Sequence, residues 1–295
     1  MRITVSGGSG LIGSHVVSAL AARGDEVTVL SRFASAATSV WEPLSGPAPA
    51  AALEGRDAVV NLAGEPIAQR WSASVREAIR VSRTLGTANL LAGVGALGQD
   101  ERPRVLVSAS AVGYYGDRGD ELLVEGSAAG GDFLAGVCSE WEAAALAAEA
   151  LGVRVCVLRT GVVLDRRGGA LAKMLPAFRL GLGGPVAGGR QYISWIALGD
   201  LTALYLAAID DERYSGAFNA TAPAPVRNGE FSRALGRALH RPALAPVPGL
   251  ALRALYGSMA EIVTGGQNAV PARALALGHE FRLASLQDAL AGALS

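Results

Sequence analysis

The chain has 295 residues, with 26 basic and 26 acidic side chains and a formal net charge of zero. A chain of this length accommodates one large α/β domain and a smaller one. The balanced charge gives no global attraction to nucleic acid or acidic membranes, so we expect neither as a partner. No apolar run approaches the ~18 residues of a membrane span, and the first residues read as a strand instead of a signal peptide.

The few residues that could bind metal or form disulfides are scattered. Cys138 and Cys156 are too few for a disulfide framework and lack metal-site spacing. His15, His240 and His279 are isolated from one another in the sequence, so no metal site or histidine-based triad is predicted. We therefore expect no bound metal and a location in the reducing cytoplasm.

The strongest functional signal is a glycine-rich turn near the amino terminus. Gly7, Gly10 and Gly13 follow the apolar segment Ile3–Val5 and open a helix. Gly7 permits a tight turn, Gly10 lets an anion approach the backbone, and Gly13 lets the helix pack close to the sheet. The free N–H groups at a helix start bind phosphate. The residues predicted to hold a dinucleotide pyrophosphate are Gly7, Ser9, Gly10, Leu11, Ile12 and Gly13.

The end of the second predicted strand indicates which dinucleotide binds. Gly24 marks the end of the first helix, and Val27–Leu30 is the second strand. NAD sites place an acidic residue about 20 residues after the glycines, where it accepts a hydrogen bond from the ribose 2′-hydroxyl. Ser31 and Arg32 stand there instead, and both suit a 2′-phosphate. The sequence therefore predicts NADP as the cofactor.

Strand and helix patterns alternate along the following part of the chain. The segment Ser35–Ala52, rich in alanine and proline, is predicted to be a surface excursion. The elements predicted after it are a strand over Ala58–Gly64, a helix over Ser74–Val94, a strand over Arg104–Ser108, a helix over Phe133–Leu151 and a strand over Arg154–Leu158. This order predicts the α/β class, with a Rossmann-type doubly wound parallel sheet.

The carboxyl-terminal region is predicted to be a smaller, mostly helical domain that covers the substrate. We expect residues 1–164 to form the NADP-binding domain, with further elements from about 193–222. Residues 165–192 and 223–295 would form the substrate domain, which ends in a helix over Leu286–Leu294. Arg190 and Gln191 are candidates to bind a polar or phosphorylated substrate, with Trp195 as an apolar wall.

Several segments together make the chain similar to a known family. They include Val60–Gly64, Arg159–Leu164, Gly181–Pro185, Ser194–Ile196, Phe218–Pro223 and Gly278–Phe281. The chain resembles an extended short-chain dehydrogenase/reductase of the NAD-dependent epimerase/dehydratase superfamily. Within it, the chain resembles the epimerase family proteins, a nucleoside-diphosphate-sugar epimerase-like subgroup with its own small carboxyl-terminal domain. The resemblance covers essentially the whole chain.

The resemblance implies a set of active-site residues, which this chain matches only in part. Members of the superfamily use a serine or threonine at a strand end and a Tyr-x-x-x-Lys pair on the next helix. Ser110 matches the serine, but Leu134 and Cys138 stand where the tyrosine and lysine are expected. Arg83 replaces an asparagine of the long central helix. The resemblance also implies that the cofactor contacts Leu62, Ala63, Gly64, Arg83 and Val163.

Two interpretations of this altered site remain open. In the first, the protein is an NADP-dependent oxidoreductase that acts on a small carbonyl, hydroxyl or nucleotide-sugar-like substrate. Ser110 then polarises the substrate, Tyr114 or Tyr115 moves the proton, and Arg83 takes over the electrostatic role of the lysine. In the second, the protein binds NADP without turnover, as a sensor or scaffold; some members of the subgroup that the chain resembles carry a cell-division label. By analogy, both interpretations allow a homodimer through the central helices.

Three further residues of the third predicted helix share one face. Cys138, Trp141 and Glu142 are spaced so that all three point toward the expected nicotinamide. We interpret Cys138 as an inert small hydrophobe and Glu142 as a structural residue that either pairs with Arg159 or caps backbone groups. The charged segment Asp117–Glu121 is either a solvated loop or a substrate lid.

Overall fold

The computed structural model describes residues 1–35 and 38–295, apart from the side chains of Ala251, Leu255 and Tyr256. The strands in chain order are β1 Arg2–Ser6, β2 Glu26–Ser31, β3 Thr38–Val40, β4 Ala58–Asn61, β5 Val105–Ala111, β6 Leu122–Leu123, β7 Arg154–Thr160, β8 Val162–Leu164, β9 Tyr192–Ile193, β10 Trp195–Ala197, β11 Gly216–Ala220, β12 Val226–Arg227 and β13 Asn268–Ala269. The α-helices are α1 Leu11–Ala22, α2 Ala73–Gly95, α3 Phe133–Leu146, α4 Gly169–Arg179, α5 Leu198–Asp210, α6 Asn228–Ala238, α7 Gly249–Tyr256, α8 Ala260–Thr264, α9 Ala272–Ala276 and α10 Leu286–Leu294.

A parallel sheet of seven strands forms the centre of the molecule, in the order β11-β7-β5-β4-β1-β2-β3. The chain moves outward from β1 through β2 to β3, and then returns to the other side of β1 to add β4, β5, β7 and β11. The order therefore reverses between β1 and β4. Open α/β sheets bind ligands at such a reversal, outside the carboxyl ends of the strands.

Helices cover both faces of this sheet, which explains why its strands are apolar on both sides. Alternate residues of β4 show the arrangement. Ala58 and Val60 belong to the apolar cluster beneath α1 and α5, whereas Val59 belongs to the cluster beneath α2 and α3. The predicted doubly wound α/β fold is thus present.

The predicted end of α1 agrees with the structure, whereas the predicted end of α3 agrees only in part. Helix α1 ends at Ala22, and Gly24 follows with a φ of +86°. Helix α3 begins after Asp132, whose side chain accepts a hydrogen bond from the backbone N–H of Ala135. The predicted helix over 133–151 is α-helical only to Leu146, and its last part is a 3-10 helix that ends before Gly152.

The prediction of a surface excursion over residues 35–52 was right for most of the segment but missed a strand and three buried residues. Thr38–Val40 forms the edge strand β3, parallel to β2. Trp41, Ala48 and Ala52 are buried in the cluster beneath α2 and α3. The alanine and proline composition hid this packing, because such short apolar side chains carry no periodic signal. Residues 36 and 37 lie outside the described part of the chain.

A third apolar cluster lies in the carboxyl-terminal region. Its largest buried side chains are Trp195, Phe178 and Phe231. β8 pairs with β10 and β9 pairs with β12 in two small sheets, separate from the seven-stranded one. The predicted helix over Leu286–Leu294 is observed as α10. The domain limits that we expected stay a prediction.

No helix in the described part of the chain is both long enough and apolar enough to cross a bilayer.

Candidate functional site

The glycine-rich turn between β1 and α1 has the geometry of a phosphate cradle. Gly7 has a φ of +71°, and a Cβ atom there would lie 2.7 Å from the carbonyl carbon of Leu62. A Cβ on Gly13 would collide with the carbonyl oxygen of Gly7. The turn is closed by a hydrogen bond from Gly10 N to Gly7 O, at 3.1 Å. Gly13 therefore lets the start of α1 pack closely against the turn that follows β1.

The start of α1 is suited to an anion. Gly10 is the cap residue, no side chain caps the helix, and the first turn holds no acidic residue. The amide groups of Leu11 and Ile12 therefore lie in the positive end of the helix dipole without a competing carboxylate. Ser9 beside them is exposed. This arrangement fits the pyrophosphate of a dinucleotide.

Ser31 and Arg32 lie at the carboxyl end of β2, on one side of the turn. Ser31 Oγ accepts a hydrogen bond from the backbone N–H of Phe33 at 3.1 Å. Arg32 is exposed, and its guanidinium carbon lies 5.9 Å from the centre of the Phe33 ring. Within the described residues, no carboxylate pairs with Arg32. Its charge is thus available to a phosphate, although its role stays a prediction.

The turn after β4 lies directly against the glycine-rich turn. The backbone N–H of Leu62 donates to Ser6 Oγ at 3.2 Å, and Ser6 Oγ donates to Asn61 Oδ1 at 2.8 Å. Ala63 N would lie 2.8 Å from a Cβ on Gly7. The structure therefore brings the predicted cofactor residues Leu62, Ala63 and Gly64 together with the turn, at the strand-order reversal.

Arg83 of α2 lies beside Gly64. A Cβ on Gly64 would be 3.1 Å from the guanidinium carbon of Arg83, so the two residues are in close contact. Arg83 Nη1 donates to the carbonyl oxygens of Glu65 and Ile79, at 3.0 and 3.1 Å. The ring of Trp141 lies 5.0 Å from its guanidinium carbon. Burial lowers the pKa of Arg83 below its ordinary value.

Ser110 is part of a buried polar network. Its Oγ donates to Glu142 Oε1 at 2.6 Å. Arg159 donates from Nε and Nη2 to the two oxygens of Glu142, at 2.9 and 2.8 Å, which makes a bidentate ion pair. Ser110, Glu142 and Arg159 are all at most 6% exposed. The expected pairing of Glu142 with Arg159 is present, and its contact with Ser110 is an addition.

The two candidate tyrosines have different surroundings. Tyr115 is fully buried, and its hydroxyl donates to Asn219 Oδ1 at 2.7 Å and accepts from Arg159 Nη1 at 3.0 Å. Burial raises the pKa of Tyr115. Tyr114 is half-buried, and the guanidinium carbon of Arg159 lies 3.5 Å from the centre of its ring. Within the described residues, the Tyr114 hydroxyl has no hydrogen-bond partner.

The helix positions at which the family pair was expected carry no such chemistry. Leu134 is half-buried, and Cys138 is 5% exposed. Burial, with a smaller effect from the Glu142 charge, raises the pKa of the Cys138 thiol to about 11. The thiol is therefore neutral near pH 7 and cannot act as a cation. Both side chains lie near Gly113.

Three further predicted residues, Val163 for the cofactor and Arg190 and Gln191 for the substrate, have different surroundings. Val163 lies on β8 beside Ile196 of β10, and Arg190 is exposed. Gln191 Nε2 donates to the carbonyl oxygens of Val186 and Val263, at 3.2 and 2.9 Å.

The expectation for Trp195 was wrong. The residue is fully buried, and its indole N–H donates to the carbonyl oxygen of Ala224 at 3.0 Å. It packs in the apolar core of the carboxyl-terminal region and cannot form a wall against a substrate.

Sequence reasoning missed the residues that hold Tyr115 and Glu125. Asn219 lies 104 positions from Tyr115 in sequence, and no spacing rule links the two. Glu125 Oε1 accepts from the backbone N–H groups of Asn219 and Arg273, at 3.1 and 3.2 Å. These contacts tie the loop after Tyr115 to the carboxyl-terminal segment. In the described part of the chain, no cluster of three or more histidine, cysteine or acidic residues could hold a metal.

Comparison with family models gives two matches. Residues 3–220 match the NAD dependent epimerase/dehydratase family, and residues 247–293 match a domain of unknown function, DUF1731. Two similar proteins are the epimerase family protein SDR39U1 of Homo sapiens, 38% identical over 98% of each chain, and its chloroplastic homologue of Arabidopsis thaliana. The latter is 42% identical over 98% of this chain and 86% of its own length.

Solved structures agree with these matches. The human SDR39U1 isoform 2, crystallised with NADPH, superposes over the whole of both chains with a TM-score of 0.89 and 34% identity. A nucleoside-diphosphate sugar epimerase from Corynebacterium glutamicum gives a TM-score of 0.81 and 37% identity over 100% of this chain and 58% of its own. A UDP-galactose 4-epimerase, at 21% identity and a TM-score of 0.73, shares the fold.

The resemblance expected from the sequence is confirmed by the family models, by the full-length relatives and by the fold. The chain belongs to the NAD dependent epimerase/dehydratase family, with a carboxyl-terminal DUF1731 domain.

Proposed function

We propose that this protein binds NADP(H) and is an oxidoreductase that acts on a small carbonyl or hydroxyl compound. The observation that carries the proposal is the phosphate cradle at Gly7–Gly13, flanked by Ser31 and Arg32 without an acidic residue in the ribose position. A carboxylate there would repel a 2′-phosphate, whereas a hydroxyl and a guanidinium bind one. The NADPH in the crystals of the human relative supports this choice.

When bound, the nicotinamide supplies or accepts a hydride, and the protein must bind the substrate oxygen and move a proton. We assign the first task to Ser110. Its O–H already donates to Glu142, so its free lone pairs suit the hydroxyl of an alcohol substrate. To bind a carbonyl, Ser110 would have to turn its proton away from Glu142. Arg159 holds the carboxylate of Glu142 in place by its bidentate ion pair for either arrangement.

We assign the proton transfer to Tyr114. Its hydroxyl makes no hydrogen bond within the described structure, whereas the hydroxyl of Tyr115 is engaged on both sides by Asn219 and Arg159. Arg159 lies against the Tyr114 ring and holds it in place. Tyr115 is then a structural residue that anchors the turn on which Tyr114 lies.

A specific observation favours a second candidate, a sensor or scaffold that binds NADP without turnover. Leu134 and the neutral thiol of Cys138 stand where the family pair was expected, and neither transfers a proton near pH 7. In that case the phosphate cradle would still bind the dinucleotide, and the protein would respond to it only by a change in stability or in partner binding.

The experiment combines binding with turnover. We expect NADPH to raise the melting temperature of the wild-type protein more than NADH does. With a panel of aldehydes, ketones and nucleotide-sugars, loss of NADPH absorbance measures turnover. Turnover by the wild type supports the oxidoreductase, NADPH binding without turnover of any compound favours the sensor, and no thermal shift with either nucleotide contradicts both.

Three variants test the assigned residues. Ser110→Ala and Tyr114→Phe should bind NADPH as the wild type does, while turnover falls by about 100-fold because a positioned hydroxyl is lost. Tyr115→Phe is the matched control, since it removes a hydroxyl of the neighbouring residue. We expect it to keep turnover within about threefold and to lower stability by about 1–2 kcal/mol. The opposite result for the two tyrosines would reassign the proton donor to Tyr115.

A homodimer through α2 and α3 and a location in the cytoplasm both stay predictions. A groove of about 470 Å³ runs between the two helices, lined in part by Arg76, Arg80, Phe133 and Glu140. Light scattering of the purified protein, with and without NADPH, measures the oligomeric state.

A further inference from the structure

We infer that Arg83 makes the site select the reduced cofactor, so that NADPH binds more tightly than NADP⁺. This inference rests on the proposed function, because it concerns the same nucleotide site. It adds the redox form that the site prefers and the residue that sets the preference.

The topology places Arg83 on the nicotinamide side of the site. The glycine-rich turn after β1 holds the pyrophosphate, and Ser31 and Arg32 after β2 mark the side of the adenosine ribose. The other half of a dinucleotide therefore extends across the strand-order reversal, over the carboxyl ends of β4 and β5. Arg83 lies at the end of β4, against Gly64.

The guanidinium of Arg83 is buried but makes no ion pair with any residue that the structure describes. It is 8% exposed, and within the described residues no carboxylate oxygen lies within 4.0 Å of it. Its protein contacts are two backbone carbonyls, both through Nη1, and the face of Trp141. Its Nε and Nη2 atoms donate to no group of the described protein. Nη2 lies on the side of Gly64, 3.2 Å from where a Cβ would be.

Arg159 provides the contrast within the same molecule. Its guanidinium is also buried, but it is neutralised by the bidentate pair with Glu142. A buried cation is costly unless it is paired, so an arginine held by carbonyls alone indicates a partner outside the protein, or a charge kept for electrostatic effect. Burial lowers the pKa of Arg83, but a guanidinium stays charged in proteins.

The charge of the cofactor then decides the preference. The oxidised nicotinamide ring carries a positive charge, and the reduced ring is neutral. A fixed cation close by raises the free energy of the oxidised form only, and the low dielectric of a buried site strengthens the effect. One acidic residue opposes it: Glu65 lies within electrostatic range of Arg83, and its Oε1 accepts from Gln69 Nε2 at 3.0 Å.

The test compares the two redox forms in titrations of the purified protein, followed by tryptophan fluorescence or calorimetry. The readout is the ratio of the dissociation constants, Kd for NADP⁺ over Kd for NADPH. We expect a ratio of about 10 or more for the wild type, because a buried cation on the nicotinamide side of the site repels only the oxidised ring. Arg83→Met should bring the ratio toward one, and Arg83→Lys should keep most of it.

Glu65→Gln is the matched variant, and we expect it to change the Kd ratio in the opposite direction. It removes the opposing charge at a partly exposed position, so the ratio should rise above that of the wild type. If the ratio in Arg83→Met equals that of the wild type, the inference is overturned. If Arg83→Met does not fold, an unchanged or lower ratio in Glu65→Gln overturns the inference instead. Wild-type protein that binds both forms equally also overturns it and leaves the proposed function standing, whereas binding of neither form refutes the proposed function itself.

Discussion

The two sides of the strand-order reversal are built in different ways. The phosphate cradle after β1 is made of backbone: the positive φ of Gly7, the missing side chain of Gly13 and the uncapped start of α1. The opposite side, between β5 and α3, is made of side chains that meet from distant parts of the chain, above all Ser110, Glu142 and Arg159. The first side keeps the geometry that the family resemblance implied, and the second departs from it.

This difference shows how such a site can change its chemistry without losing its ligand. Backbone amides bind phosphate whatever the neighbouring side chains are, so the cradle persists when its surroundings change. A proton donor and its cationic neighbour depend on two side chains, and here Leu134 and Cys138 replace them. Arg83 of α2 places positive charge near the same region by another route, whereas the charge of Arg159 is neutralised by Glu142.

We expect the largest effect from a substitution on the side of the site that is made of side chains. Arg159→Met leaves the carboxylate of Glu142 buried without its ion pair, and such a loss costs about 3–5 kcal/mol of unfolding free energy. Urea unfolding followed by circular dichroism measures it. The double variant Arg159→Met with Glu142→Met is the control, since it removes both charges and should recover part of the loss. A double variant less stable than Arg159→Met would contradict this account of the pair.

We expect the next largest effect from a substitution in the phosphate cradle, which is made of backbone. Gly13→Ala places a methyl group against the carbonyl oxygen of Gly7, so the turn must open and NADPH affinity should fall at least tenfold. Calorimetric titration measures the loss. Gly136→Ala in α3 is the control, because a Cβ there meets no atom within 4 Å. We expect it to leave binding unchanged and to raise stability by about 0.5–1 kcal/mol, as alanine does in helices.

We expect a smaller effect from a substitution at the edge of the cradle, where Arg32 lies. Arg32→Ala removes an exposed charge next to the expected 2′-phosphate, so NADPH should bind about tenfold more weakly while NADH affinity stays the same. The measurement is a pair of titrations on one protein preparation. If both affinities fall together, Arg32 contributes only a general attraction to anions.

The success of sequence reasoning follows the same division. The turn at Gly7–Gly13 and the limits of α10 were readable because their determinants lie within a few residues of each other. The edge strand Thr38–Val40 was missed because its segment shows no alternation of polar and apolar residues. Trp195 was misread as a site residue, since burial in the carboxyl-terminal core depends on distant helices.

The buried contacts around the candidate catalytic residues were predictable only in part. Helical spacing placed Glu142 on the inner face of α3, and this led to its pairing with Arg159. No local rule could place Asn219 on the hydroxyl of Tyr115 or leave Arg83 without a carboxylate partner. Those features arise from pairs separated by many residues, which one sequence alone does not specify.

The most direct test of the central claim is a calorimetric titration of the wild-type protein with NADPH and with NADH under identical conditions. The claim is that the backbone cradle still binds a dinucleotide and that Ser31 and Arg32 select the 2′-phosphate. It predicts saturable binding of NADPH, at least tenfold tighter than that of NADH. Equal affinities, or no heat of binding with either nucleotide, would contradict it.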